Sequence, residues 1–169
     1  MLGFDQALEP GSIGSGTVGY GRIWRYLHSE LRYANMQAEA VEIFRELEKK
    51  TGLEMLHSGG LLYMKPVGHP DIQEFMKYGE KLSSSEINRR WPALTIPDYI
   101  EGVFTLEAGV ANVKNALKGC RQESTRLGAD LRYGHSVKDI DHATSTVTLA
   151  DGSKYSAKNI VVTCGATTD

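Results

Sequence analysis

Long apolar runs are missing from this chain of 169 residues, and no stretch reaches the length a membrane-spanning helix needs. The opening Met1-Leu2-Gly3-Phe4-Asp5 lacks the basic and apolar regions of a signal peptide. A surplus of charge is missing as well. Lys and Arg number 19 against 21 Asp and Glu, a formal charge of -2, which excludes a general basic field for nucleic acid. Cysteine is scarce: Cys120 and Cys164 form no CxxC pair and read as reduced thiols of a cytosolic or organellar interior. The five histidines, His28, His57, His69, His135 and His142, show no metal-ligand spacing. No Gly-x-Ser-x-Gly nucleophile elbow and no internal repeat occurs. These absences leave a soluble, intracellular globular protein, with no metal, membrane or nucleic-acid partner expected.

What is present begins with glycine. Of 18 glycines, many crowd Gly11-Ser12-Ile13-Gly14-Ser15-Gly16-Thr17-Val18-Gly19-Tyr20-Gly21, and Arg22-Ile23-Trp24-Arg25 comes directly after. Glycine lets a backbone approach a ligand and turn N–H groups toward it. Arginine offers a fixed fork of donors to a carboxylate or phosphate and lies well against a conjugated ring. The apolar neighbours Ile23 and Trp24 imply partial burial, and a buried guanidinium needs an anion. The bland alternative is a surface pair beside an acidic helix. Gly14–Gly19 also spells GxGxxG, but that fingerprint needs a strand before it and a helix after it. Leu8-Glu9-Pro10 and Gly21 supply neither, so a ligand-facing loop is the better reading and a nicotinamide dehydrogenase a weak one.

Apolar residues, 41% of the chain, suffice for one ordinary domain or parts of two small ones. From Leu31 to Lys50, Tyr33, Met36, Ala40, Val41, Phe44 and Leu47 recur at helical spacing, and Gly52 is the stop. Gly59–Met64 reads as a buried strand. Pro70-Asp71 opens a weaker helix to about Leu82, and Ser83 with Glu86 has capping-box spacing ahead of a short helix that Pro92 closes. Gly102–Leu106 is a strand. Asn112 caps a helix carrying Val113, Ala116, Leu117, Cys120 and Leu127 inward, with Gly128 past its end. Ala129–Tyr133 is a strand, and Thr146–Leu149 with Lys154-Tyr155 is a hairpin turned by Asp151-Gly152. Asn159–Gly165 reads as a parallel strand buried on both faces, and Cys164 as an inert core thiol.

Several segments, in this order, resemble the monomeric sarcosine oxidase and pipecolate oxidase family, FAD-dependent amine oxidases of the D-amino-acid-oxidase superfamily. Ser85-Glu86-Ile87-Asn88-Arg89-Arg90-Trp91-Pro92, with Pro97 and Phe104, carries the resemblance most closely. Arg22-Ile23-Trp24-Arg25 looks like the family's Arg-Ile-x-Arg. Phe44–Gly52 is similar to its next helix, Gly59-Gly60-Leu61-Leu62 to its first substrate-domain strand, and Tyr155–Ala166 to the strand returning to the flavin. The glycine loop departs, since relatives carry Gly-Ser-(Ser/His)-His-Gly there and a histidine near the flavin has no counterpart. After Gly165 relatives show Ala-Trp, and this chain has Ala166-Thr167.

The resemblance implies a mixed α/β fold: an incomplete Rossmann-like FAD domain with part of an inserted, mainly antiparallel substrate domain. Residues 1–56 and 112–169 would belong to the FAD domain and 57–111 to the substrate domain. It implies a fragment that starts after the GxGxxG unit and its acidic strand, and stops before the C-terminal half. Arg22 would pack near the isoalloxazine and Arg25 would clamp a substrate carboxylate. Gly11, Ser12, Val137, Thr163, Cys164 and Gly165 would line the cofactor cleft. The implied reaction oxidises a small secondary or N-methyl amino acid to an imine with release of hydrogen peroxide. The implied partners are that substrate and O2, the state a monomer, and the location cytoplasmic or peroxisomal. Two alternatives stand beside it: an inactive fragment, and a non-catalytic module that binds a small carboxylate.

Overall fold

The computed structural model describes residues 1–12 and 16–165. The chain divides into two compact units, Met1–Tyr20 with Val113–Asp169, and Gly21–Asn112. The sequence reading divides it at 56/57 instead. The difference lies in the segment 21–56, which is stitched by hydrogen bonds to strands later in the 21–112 unit.

The chain opens with β1 (Leu2–Asp5). The 21–112 unit then starts with β2 (Gly21–Arg25) and α1 (Leu31–Thr51). Gly52 ends α1 with φ 70°, its N–H donating to the Glu48 carbonyl at 2.8 Å. The Glu48 carboxylate accepts the N–H groups of Met55 and Leu56 at 2.6 and 2.8 Å and the Arg45 guanidinium at 2.7 Å, fixing α1 to β3 (Leu56–His57). Burial pushes this carboxyl group up, but the N–H donors and Arg45 outweigh it and hold it below its ordinary value. β2, β7 (Ala108–Asn112) and β3 form an antiparallel sheet in the order β2-β7-β3.

Between β3 and β7 lies a second antiparallel sheet, ordered β4-β6-β5, from β4 (Leu61–Pro66), β5 (Glu80–Ser83) and β6 (Ile100–Thr105). α2 (Pro70–Phe75) starts with Pro at its first turn, and His69 Nδ1 accepts the Asp71 N–H. Ile72 and Phe75 of α2 close over Leu27 and Val103 to make the core cluster. The expected helix from Pro70 to Leu82 is therefore shorter. Gly79 approaches the Phe104 backbone so closely that any Cβ would collide with its carbonyl, and residues 80–83 pair with β6. Ser83 does cap α3 (Ser84–Arg90), accepting the Glu86 N–H at 3.3 Å. The Glu86 carboxylate turns away to Arg89 and Arg90, whose hydrogen bonds lower it to about 2.

The other unit resumes with α4 (Val113–Arg126) and β8 (Asp130–Tyr133). β1 pairs with β8 in parallel, Leu2 beside Asp130 and Asp5 beside Tyr133. β9 (Val137–Asp141), β10 (Thr146–Leu149) and β11 (Lys154–Ser156) form an antiparallel meander. The expected Asp-Gly hairpin is its second turn, with Gly152 at φ 88°.

Several expected burials fail. Asn159–Gly165 forms no strand, only Ile160 among them is half-buried, and Cys164 is exposed rather than packed in a core. An apolar segment is buried only if neighbours flank it, and among the described residues no strand pairs with this one. Cys120 and Leu127 on or past α4 are exposed, as are Tyr33 and Met36 on α1. Periodicity places such residues on one face without supplying anything to cover it.

Candidate functional site

Side chains alternate across a strand, so β2 sends Arg22 and Trp24 to one face and Ile23 and Arg25 to the other. Trp24 is buried, its indole N–H donating to the His57 carbonyl at 3.2 Å. Arg22 is exposed, and its Nη1 donates to the Gly21 carbonyl at 2.9 Å. Arg25 is half-buried, and no described residue gives its side chain a hydrogen bond or an ion pair. The two guanidiniums therefore lie on opposite faces of β2 and do not make one local fork. Small Ala108 stands opposite Arg25 on β7. Next along the chain, burial and then the charges of Glu107 and Glu42 push the Tyr26 hydroxyl up, so it stays a neutral phenol.

The other candidate residues belong to the unit of β1 and α4. Gly11 has φ 75°, and a Cβ there would meet Leu117 Cδ1 at 2.9 Å, so glycine is required for the loop to lie on α4. The Ser12 hydroxyl donates to the Glu9 carbonyl at 2.7 Å. Ile13, Gly14 and Ser15 lie outside the described residues, and with them part of the literal GxGxxG. The next regular element along the chain is β2, not a helix, as the rejection of the fingerprint required. Val137 is exposed at the start of β9, and Thr163, Cys164 and Gly165 are exposed. Ala166 and Thr167 lie outside the described residues.

One residue escaped the sequence reading. Asp5 stands at the carboxyl end of β1, beside Tyr133 at the same end of β8. Gly134 turns there with φ 75°, and Asp5 Oδ1 accepts the Ala7 N–H at 2.9 Å. In open α/β sheets, ligands gather at the carboxyl ends of parallel strands. Where the sequence offered no strand before Glu9-Pro10, the structure has a short parallel strand ending in an acid. The signal was Leu2-Gly3-Phe4 before an acid, too short to register beside Glu9-Pro10. Among the described residues, no group of three or more His, Cys, Asp or Glu is placed to hold a metal ion. No helix among them is long and apolar enough to cross a membrane.

A parallel strand pair with an acid at its carboxyl end, in one chain with antiparallel sheets, makes a mixed α/β fold. The chain belongs to the DAO family, FAD dependent oxidoreductase, whose match runs over residues 4–169. It is 29% identical to a monomeric sarcosine oxidase of Bacillus sp. (strain B-0618), over 95% of this chain and 44% of that protein. It is 27% identical to an N-methyl-L-tryptophan oxidase of Yersinia pestis (strain Pestoides F), over 98% of this chain and 47% of that one. The chain thus spans less than half the length of these relatives. In fold it is similar to NikD, an amino acid oxidase of nikkomycin biosynthesis, with TM-score 0.74 and 22% identity over 91% of this chain and 42% of that one. It is also similar to a fructosyl peptide oxidase from E. terrenum, with TM-score 0.70 and 16% identity over 95% of this chain and 42% of that one.

Proposed function

We propose that this chain serves the FAD-dependent oxidation of a small secondary or N-methyl amino acid to an imine, as part of a longer polypeptide. The observation that carries the reading is Arg25: a half-buried guanidinium without a protein partner, in a chain of this family. The residues fit the cofactor in chemistry. Asp5 at the carboxyl end of a parallel strand suits ribose hydroxyls, and Gly11, Ser12, Val137 and residues 163–165 would lie along the dinucleotide. FAD, when bound there, would supply the two-electron acceptor for oxidation of the substrate's C–N bond to an imine, with O2 as terminal oxidant reduced to H2O2. Arg25 holds the substrate carboxylate by two parallel hydrogen bonds and so orients the carbon to be oxidised. Arg22, which leaves β2 on the face opposite Arg25, would supply positive charge to the flavin, where negative charge develops. The relatives' names fit this substrate class, sarcosine and N-methyl-L-tryptophan both being N-methyl amino acids.

The test is kinetic. With FAD and O2 supplied to the full-length protein, an N-methyl amino acid should yield peroxide. Arg25→Ala should raise KM for carboxylated amines at least about 100-fold while flavin content holds, since a charge-assisted bidentate pair is lost. Unchanged kinetics would refute the clamp. A second reading, a carboxylate-binding module without catalysis, is favoured by one observation: Thr163–Gly165 stand exposed and outside any strand. Carboxylate binding without peroxide would select it, and a chain that fails to melt cooperatively would select the inactive fragment.

A further inference from the structure

We propose that Ile23 and Val110 form the platform that selects the body of the carboxylate ligand, favouring an amino acid with a sizeable apolar side chain. The inference rests on the reading of Arg25 as a carboxylate clamp. The register carries it. Ile23 on β2 stands opposite Val110 on β7, which stands opposite His57 on β3, so the three form one row on one face of the sheet. Arg25 lies one pleat repeat along the same strand and face, about 7 Å away. Gly21 confirms the face independently: a Cβ there would strike Val110 Cγ1 at 2.6 Å, so Val110 leans along the side that Gly21, Ile23 and Arg25 share.

This face is open where its row is apolar. Ile23 is 70% and Val110 48% exposed, while Trp24 and Leu56 on the opposite face are buried. Two β-branched side chains in water beside an unpaired cation make a surface with two complementary halves. A carboxylate satisfies Arg25, and the remainder of the same molecule reaches the Ile23–Val110 row. The row ends in His57, whose Nδ1 faces Glu54 Oε1 at 3.1 Å, so a polar edge bounds the platform. An apolar floor with one oriented charged group is the usual composition of a small-ligand site.

The test measures binding of two probes to the full chain by calorimetry or ligand-observed NMR: N-methylglycine, and N-methyl-L-phenylalanine. The aromatic probe should bind about tenfold more tightly, the scale on which an apolar pocket discriminates by size. Ile23→Thr and Val110→Thr keep strand propensity and are exposed, so both variants should melt as the parent does. Each should remove most of that preference and leave N-methylglycine affinity unchanged. Arg25→Ala should weaken both probes. Loss of both probes in Arg25→Ala, with the preference intact in both threonine variants, overturns the platform alone. Equal weakening of both probes by the threonine variants also overturns it. Binding of both probes that ignores Arg25→Ala, or no binding of either, overturns the clamp and the platform with it.

Discussion

Among the described residues, eleven of the thirteen buried apolar side chains fall within residues 21–112, and the other unit holds only Val113 and Leu149. Apolar residues are not lacking in the second case. Ile160, Val161 and Val162 sit in sequence as a core strand would, yet Val161 is 84% exposed. The contrast lies in how each unit finds neighbours. The 21–112 unit flanks β6 on both sides with antiparallel strands and covers it with α2, so its core is closed by residues of that one stretch of chain. The other unit pairs β1 with β8 across most of the sequence and has a two-stranded parallel sheet, a form that needs covering on both faces. Apolarity states what a segment can bury, and topology decides whether it does.

The sharpest way to break this comparison is a pair of truncations read by urea unfolding. Phe75→Ala should cost about 4 kcal/mol, because it opens a cavity among Leu27, Ile72 and Val103. Val161→Ala should stay within about 0.5 kcal/mol, having nothing to lose. Comparable costs would show that Val161 is buried in solution and that the contrast is false.

A middle-sized effect lies in a charge buried on β6 itself. Glu101 is 6% exposed; it accepts the Gly68 N–H at 3.0 Å and Lys81 Nζ at 2.7 Å. Lys81 first, and then the Gly68 N–H, hold its carboxyl below the usual range. A carboxyl lowered in the folded state adds stability above its unfolded value, about 4.3, and that stability fades as pH falls through the folded value. Lys81→Met should cost about 2 kcal/mol at neutral pH, since a buried carboxylate loses a charged donor. It should also flatten the loss of stability on acidification. An unaltered acid limb would remove Glu101 from the account and leave the other lowered carboxyls of the same unit, Glu48, Asp71, Glu80 and Glu86, to explain it.

Legibility in the sequence obeys the same division. The Gly52 stop, the Ser83 cap, the Asp151-Gly152 turn and the strand from Leu61 to Pro66 obey rules that act within a few residues, and all are present, though that strand is half-buried where a buried one was expected. The parts that depend on distant partners were not legible. Leu82 passes for the end of a helix until β6 captures it opposite Gly102. β1 is four residues long and exists because β8 lies beside it. At the candidate site, the identity of Arg22 and Arg25 was visible, but their faces were not. Three residues apart means neighbours on a helix and opposite sides on a strand. Only pairing with β7 settles which applies. Asp5 was hidden for the same reason as β1.

The smallest effect on stability is expected where the effect on binding is large. Arg25 has no partner among the described residues, so Arg25→Ala breaks no bond that the fold depends on. Its unfolding free energy should stay within about 0.5 kcal/mol of the parent, or rise slightly as a half-buried charge is removed. Phe75→Ala should do the reverse, lowering stability while the folded fraction binds carboxylates normally. A cationic side chain that a protein carries at a cost to itself, and that repays it only when an anion arrives, is the thermodynamic mark of a site. If Arg25→Ala instead destabilises the chain as a core truncation does, the guanidinium is a structural group. The carboxylate clamp would then have to be sought elsewhere in the protein.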